Sequence, residues 1–272
     1  MSSNTYNHYH QPELLESIMA QLQAAGIDES SLTREHLSGL DEFHLQGAEV
    51  SRRLAAKLHL QPGTIVLDVG CGVGGPCRML ADEFDCEVVG VDYTAEYIRT
   101  ARALSEKVGL AGKTTFLEAN ALALPFPDAS FDVVWTQHAQ MNIADKPQLY
   151  AEIQRVLRAD GRFLFYDIFQ GSEPGLLFPV PWAEVPEQSH LMPYADLAGY
   201  FEADGWHLLY QEDHTENAIL ALSGALEKAA RGEAPKLGLN MLMRGTTKTK
   251  LGNLLQCLRE RRVEVFAGIY GK

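Results

Sequence analysis

The segment Asp68-Val-Gly70-Cys-Gly72-Val-Gly74-Gly75 constrains this chain more than any other. It follows a short, continuous apolar run over residues 64–69 and precedes a helical pattern over 76–84 that opens on Pro76. A short apolar run ending in glycines predicts a strand buried on both faces of a parallel sheet. Proline is tolerated in the first turn of the helix that follows. Gly70, Gly72 and Gly75 have the spacing G-x-G-x-x-G, with glycine needed where the chain turns sharply and a ligand approaches the backbone. Asp92 ends the next predicted strand, 20 residues after Gly72, where a carboxylate can bind two ribose hydroxyls. The loop therefore predicts a site for a dinucleotide or another adenosyl cofactor.

The surrounding pattern sets the fold class. Residues 87–91 read as strand and 95–108 as helix, with Ile98, Ala101, Leu104 and Val108 on one stripe. Strands follow at 115–117 and 131–136, a helix at 146–157 and a strand at 162–168. Such alternation predicts a doubly wound α/β sheet. Upstream, residues 1–11 read as a tail, and Pro12 opens a helix through Leu14, Ile18 and Leu22 that Gly26 stops. A second start signal lies at 31–35 and a third helix at 49–58. Downstream, 171–193 carries five prolines and reads as an ordered loop, followed by a helix at 194–204 and a strand at 207–212. Helices at 216–231 and 248–261 are inserted before a last strand at 263–269. The expected division is an N-terminal helical cap (1–60), a cofactor-binding core (61–214), an inserted helical cap (215–262) and the last strand of the core (263–272).

Charge discriminates among partners. A dinucleotide places its doubly charged pyrophosphate at the glycine turn, where Asp68 would repel it. S-adenosylmethionine has no phosphate and brings an ammonium and a sulfonium, which Asp68 attracts. No Lys-Ser or Lys-Thr follows the glycines, which excludes a phosphate-cradling P-loop. The net charge of −13 argues against nucleic acid. The four cysteines, Cys71, Cys77, Cys86 and Cys257, form no paired spacing, which fits reduced thiols in a cytoplasmic protein and neither a disulfide framework nor a metal cluster. No stretch approaches the roughly 20 apolar residues of a membrane span, so a soluble cytoplasmic location is expected.

With these residues in view, the chain resembles the class I S-adenosylmethionine-dependent methyltransferases. Val66-Leu-Asp-Val-Gly-Cys-Gly-Val-Gly-Gly75 looks like their motif I, and the likeness continues through Val91-Asp92, Leu124-Pro-Phe-Pro-Asp-Ala-Ser-Phe-Asp132 and Arg155-Val-Leu-Arg-Ala-Asp-Gly161. Asp41-Glu-Phe-His-Leu-Gln-Gly47 is similar to small-molecule members such as sarcosine/dimethylglycine N-methyltransferase-like proteins. The resemblance implies a Rossmann-like fold with a seven-stranded mixed sheet and helical cap elements. It implies that Asp68, Gly70, Cys71 and Gly72 face the methionyl part of S-adenosyl-L-methionine, Cys71 as a small residue in the turn. Asp92 would bind the ribose and Tyr93 would pack on the adenine. Asn120 and Ala121 stand where the family commonly has Asp-Ala, and Gln137 where the backbone often meets the methionyl ammonium.

Methyl transfer from a sulfonium needs alignment and exclusion of water, with no metal; an amine or phenol can also need a base. His44, His138 and Tyr166, the last beside Asp167, are the candidate bases, and an N, O or C nucleophile is open. The apolar loop containing Leu177, Phe178, Pro181 and Trp182 could close over the acceptor. Residues 228–262 hold nine basic residues against two acidic ones. Within them Arg244 is the candidate to bind a carboxylate on the acceptor. The expected partners are a small-molecule methyl acceptor and a second copy of the chain, with no nucleic acid and no membrane. The alternatives are an NAD(P)-dependent oxidoreductase, disfavoured by Asp68 and the lack of a catalytic Tyr-Lys pair, and a non-catalytic S-adenosylmethionine-binding protein.

Overall fold

A computed structural model describes residues 13–233 and 246–272. Three helices precede the sheet: α1 (Leu14–Ala24), the one-turn α2 (Arg34–Leu37) and α3 (Gly47–Lys57). The first half of the sheet region runs β1 (Ile65–Val69), α4 (Gly75–Glu83), β2 (Glu87–Asp92), α5 (Ala95–Lys107) and β3 (Thr114–Glu118). The second half runs β4 (Phe131–Gln137), α6 (Lys146–Val156), β5 (Leu157–Gln170), α7 (Leu197–Phe201) and β6 (His207–Asp213). Helices α8 (Thr215–Ala230) and α9 (Thr247–Arg259) then precede β7 (Val263–Gly271).

The seven strands form one mixed sheet in the order β3-β2-β1-β4-β5-β7-β6. Strands β1 to β5 pair in parallel, whereas β7 is antiparallel to both β5 and β6. The strand order reverses between β1 and β4, which opens a crevice beyond their carboxyl ends. Alternate residues feed opposite layers. Val66, Trp135, Leu164 and Tyr166 face a layer that includes Leu54, Leu80, Leu222 and Leu254. Leu67, Val134, Phe163 and Phe165 face Leu149, Ile153 and Phe201. A third cluster packs Leu14, Ile18, Leu22 and Leu37 against Val73, Tyr97 and Leu104, so the N-terminal helices cover the glycine loop and α5.

The expected strands and helices are present, with shifted limits. Strand β5 begins at Leu157, directly after α6, because Phe131 of β4 pairs with Leu157 before the regular register resumes. The helix expected over 194–204 breaks into a 3-10 turn (Tyr194–Asp196), α7 and a second 3-10 turn (Glu202–Asp204) ended by Gly205. The loop over 171–193 is ordered by buried Val180, Trp182 and Ala183. All four cysteines are free and buried, and no described helix is long and apolar enough to cross a membrane. Pro12, Arg244 and the tail fall outside the described residues.

Candidate active site

The glycines of the loop are needed for different reasons. At Gly70 the backbone has φ +84°, and a Cβ would lie 2.7 Å from the Cβ of Ala139, so this glycine lets the turns after β1 and β4 touch. A Cβ on Gly75 would lie 2.1 Å from the carbonyl oxygen of Asp41. The third glycine of the pattern therefore admits the N-terminal segment. Asp92 braces the loop from the tip of β2: its Oδ2 accepts from the N–H of Gly72 (3.1 Å) and its Oδ1 from the N–H of Thr94 (2.8 Å).

A cavity of about 480 Å³ opens at the reversal point, walled by the glycine loop, by residues 41–47 and 137–142, and by Trp182, Leu222 and Leu254. Among the described residues its wall carries four carboxylates (Asp41, Glu42, Asp68 and Asp92) and no lysine or arginine. Asp41 is paired with the fully buried Arg78 at 2.8 Å, yet burial still pushes its carboxyl up to about 6. Asp68 is 2% exposed; burial pushes it up to about 7, against the lowering effect of a hydrogen bond from the Cys77 thiol at 3.1 Å. A narrower pocket shares Gly70, Asp92 and Ala139 with this cavity and is lined by Tyr93, Asn120 and Ala121. There Asn120 Oδ1 already accepts from the N–H of Leu122 at 3.0 Å, which leaves one lone pair for a ligand. The structure thus places Asp68, Gly70, Cys71, Gly72, Asp92 and Gln137 on the cavity, and Tyr93, Asn120 and Ala121 on the adjoining pocket.

The three candidate bases differ. His44 is locked: Nε2 bonds Glu42 at 2.6 Å and lies 3.2 Å from the Ser51 hydroxyl, and Nδ1 faces the Leu45 carbonyl at 3.1 Å. Both ring nitrogens are engaged by the protein in this arrangement. His138 lines the cavity with φ 48°, a strained conformation for a residue with a side chain. Its Nε2 is buried with no hydrogen-bond partner. Burial and the neighbouring His44 hold its pKa well below the usual histidine value, so the ring is neutral at pH 7 and one nitrogen can accept a proton. Tyr166 lies behind His138, stacked on it at 5.1 Å, and does not reach the cavity wall. Its hydroxyl accepts from Gln46 Nε2 at 2.9 Å and faces the Leu45 carbonyl at 3.3 Å, and burial raises its pKa. Its ring also packs edge-on against His44 and His214.

Several contributors had no signal in the sequence. Ser51, on α3, bonds Glu42, His44 and Gln137, and Gln137 Oε1 also accepts from the Trp135 indole at 3.0 Å. The apolar loop is already folded over the cavity. Pro181 and Trp182 line the cavity, and the Trp182 indole donates to Ser189 at 2.9 Å. Helix α9 holds that loop through Lys250–Glu184 (2.6 Å) and the amide of Asn253 on the Pro179 carbonyl (3.0 Å). The basic residues Arg231, Lys250, Arg261 and Arg262 each pair with a glutamate, and none of them lines the cavity.

Residues 67–165 match the family described as methyltransferase domain. A phosphoethanolamine N-methyltransferase 1 of Arabidopsis thaliana is 29% identical over 216 residues, 78% of this chain and 42% of that protein. The chain therefore spans less than half the length of that relative. The solved phosphoethanolamine N-methyltransferase 2 of Haemonchus contortus, complexed with phosphomonomethylethanolamine and S-adenosylhomocysteine, superposes with a TM-score of 0.74 at 19% identity, over 94% of this chain and 60% of that one. A Galdieria sulphuraria structure described as a sarcosine dimethylglycine methyltransferase superposes with a TM-score of 0.67 at 19% identity, over 94% of this chain and 98% of that one. At that identity the likeness is one of fold.

Proposed function

Because its central residues 67–165 are a methyltransferase domain, we propose that this chain transfers a methyl group from S-adenosyl-L-methionine to a small-molecule acceptor. The observation that carries the reading is Asp68: a buried carboxylate at the tip of β1, on a cavity wall without lysine or arginine among the described residues. Such a wall suits a ligand that brings positive charge and repels a diphosphate. When bound, the cofactor supplies an electrophilic methyl on a sulfonium, which the acceptor takes by in-line displacement.

The chain's own residues would hold and align. Asp68, with the Gly70, Cys71 and Gly72 backbone and Gln137, would hold the methionyl end, and Asp92 the ribose. Tyr93, Asn120 and Ala121 would hold the base. Trp182, Pro181 and the helices α8 and α9 keep water from the cavity. His138, neutral and with an unpartnered nitrogen, is the residue we assign as base for an acceptor that must lose a proton. His44, fixed by Glu42, orients the wall instead. The described walls offer no lysine or arginine for a carboxylate on the acceptor, and Arg244 is not among the described residues. The four free thiols support the cytoplasmic placement.

Calorimetric titration with S-adenosylhomocysteine and with NAD tests the reading. Binding of the first and not the second is expected; binding of NAD alone overturns it in favour of a dehydrogenase. Incubating cell extracts with methyl-labelled cofactor then identifies the acceptor through the labelled product. A cofactor site that never turns over would make the protein a carrier.

A further inference from the structure

We propose that Cys77 is a positioning residue for the cofactor: its thiol holds one oxygen of Asp68 in the cavity wall and governs whether that carboxylate is charged when the ligand's ammonium arrives. The inference rests on the cofactor reading above. Cys77 lies on α4, and its Sγ donates to Asp68 Oδ2 at 3.1 Å. Among the described residues this is the protein's one hydrogen-bond donor to that side chain. Room for it comes from the neighbouring strand. Gly90 pairs with Asp68 in the β1–β2 register, and a Cβ on Gly90 would lie 2.9 Å from both Cys71 Sγ and Cys77 Sγ. A glycine inside a strand weakens it unless something must approach closely, and here the Phe116 ring (2.8 Å) and the two thiols share that space.

A thiol is a weak donor, whereas a buried carboxylate that stays ionised ordinarily accepts two or three strong ones. The other groups around Asp68 do not make up the difference. Glu42 and Asp92 oppose its charge, while His44 favours it. Arg78 is spent on Asp41 and on the carbonyls of Val73 and Ala101. On β4, the Trp135 indole and Gln137 bond each other. Cys71, from the loop, is a neutral thiol, its pKa pushed up to about 11 by burial. Asp68 is thus a carboxylate whose pKa burial pushes up to about 7, and a ligand ammonium must displace a proton from it near and below that pH. Serine at position 77 would donate more strongly and alanine not at all, so the two changes push the proton in opposite directions.

The test is calorimetric titration of S-adenosylhomocysteine between pH 5.5 and 8.5 in two buffers of different ionisation enthalpy. It uses the full-length protein and the variants C77S, C77A and D68N. In the unsubstituted protein the affinity should rise by up to about tenfold per pH unit below pH 7 and level off above it, with proton release on binding. At pH 6, C77S should bind several-fold tighter and C77A several-fold weaker, the three converging above pH 8. D68N should bind weakly with no inflection near 7. Serine and alanine are both smaller than cysteine, so neither overpacks the site, and a variant that misfolds leaves the other to decide. Identical pH profiles in the Cys77 variants, or a flat profile in the unsubstituted protein, overturn the inference while leaving the cofactor assignment standing. Failure of S-adenosylhomocysteine to bind at pH 8 overturns that assignment itself.

Discussion

At the scale of single residues, the site depends on side chains that are absent as much as on those present. Gly70→Ala adds a methyl that meets Ala139 at 2.7 Å in a backbone region that favours glycine. We expect a loss of about 1–3 kcal/mol of stability in denaturant melts and weaker S-adenosylhomocysteine binding. His138 makes a cleaner chemical prediction. With the acceptor identified by labelling, His138→Gln should lower kcat by roughly 10²- to 10⁴-fold if that acceptor must lose a proton. The dissociation constant of S-adenosylhomocysteine should change little. Because the pKa of His138 is depressed, its neutral form persists on acidification, so the limb of kcat that it controls should lie below pH 6.5. A kcat that falls with a midpoint above pH 7 would remove His138 from the role.

At the scale of elements, the turn after β4 depends on one lysine. Lys146, at the start of α6, points its ammonium at the carbonyls of Gln140 (2.6 Å), His190 (2.6 Å) and Ile143. It thereby ties the cavity-lining Met141 and Asn142 to the loop that carries Trp182. Lys146→Met removes the ammonium from three carbonyls, of which that of Gln140 keeps the Ile143 N–H at 3.0 Å, and a drop of several degrees in Tm is expected, with an increased KM for the acceptor. Lys250→Met should loosen the α9 clasp on Glu184 and raise the acceptor KM while leaving S-adenosylhomocysteine affinity within about twofold. The central elements were legible because each is specified locally. An apolar run ending in glycines gives β1, and the stripe of Ile98, Ala101 and Leu104 gives α5. Gly70, Gly72 and Asp92 were legible for the same reason, since a spacing along one βαβ unit locates them. What escaped depends on distant segments meeting. No local pattern shows that Gly75 makes way for the Asp41 carbonyl, that Ser51 joins Glu42 to Gln137, or that Tyr166 stands behind the wall. The extension of β5 back to Leu157 depends on pairing with Phe131, and the break-up of the 194–204 helix depends on a fit against Tyr150 and Phe163.

Across the whole molecule, buried acids set the response to pH. Asp68 and Asp167 are pushed up to about 7 and Asp41 up to about 6, each chiefly by burial. An acid whose pKa is higher in the folded than in the unfolded state binds more protons when folded. Its contribution is therefore present at low pH and lost as pH rises from about 4 towards 7. The net charge of −13 adds repulsion in the same direction. His138, His190 and His214, whose values are lowered by burial, act in the opposite sense, so the share of the acids is isolated by comparing a variant with the unsubstituted protein in the excess of Tm at pH 6 over Tm at pH 8. Asp167→Asn should reduce that difference, since Asp167 Oδ1 has no hydrogen-bond partner to lose. An Asp167→Asn variant that keeps the same difference between pH 6 and pH 8 would contradict this account.

The insertion of β7 between β5 and β6 has a consequence for synthesis. While the ribosome is still translating the stretch before residue 263, β5 presents nine residues of unpaired backbone, those later joined from Arg162 to Gln170, and β6 has no neighbour at all. A nascent polypeptide stalled at that stage carries a sticky border open to any passing strand. Translation interrupted before residue 263 should therefore yield aggregates and draw chaperones, whereas translation through β7 fills the gap between β5 and β6.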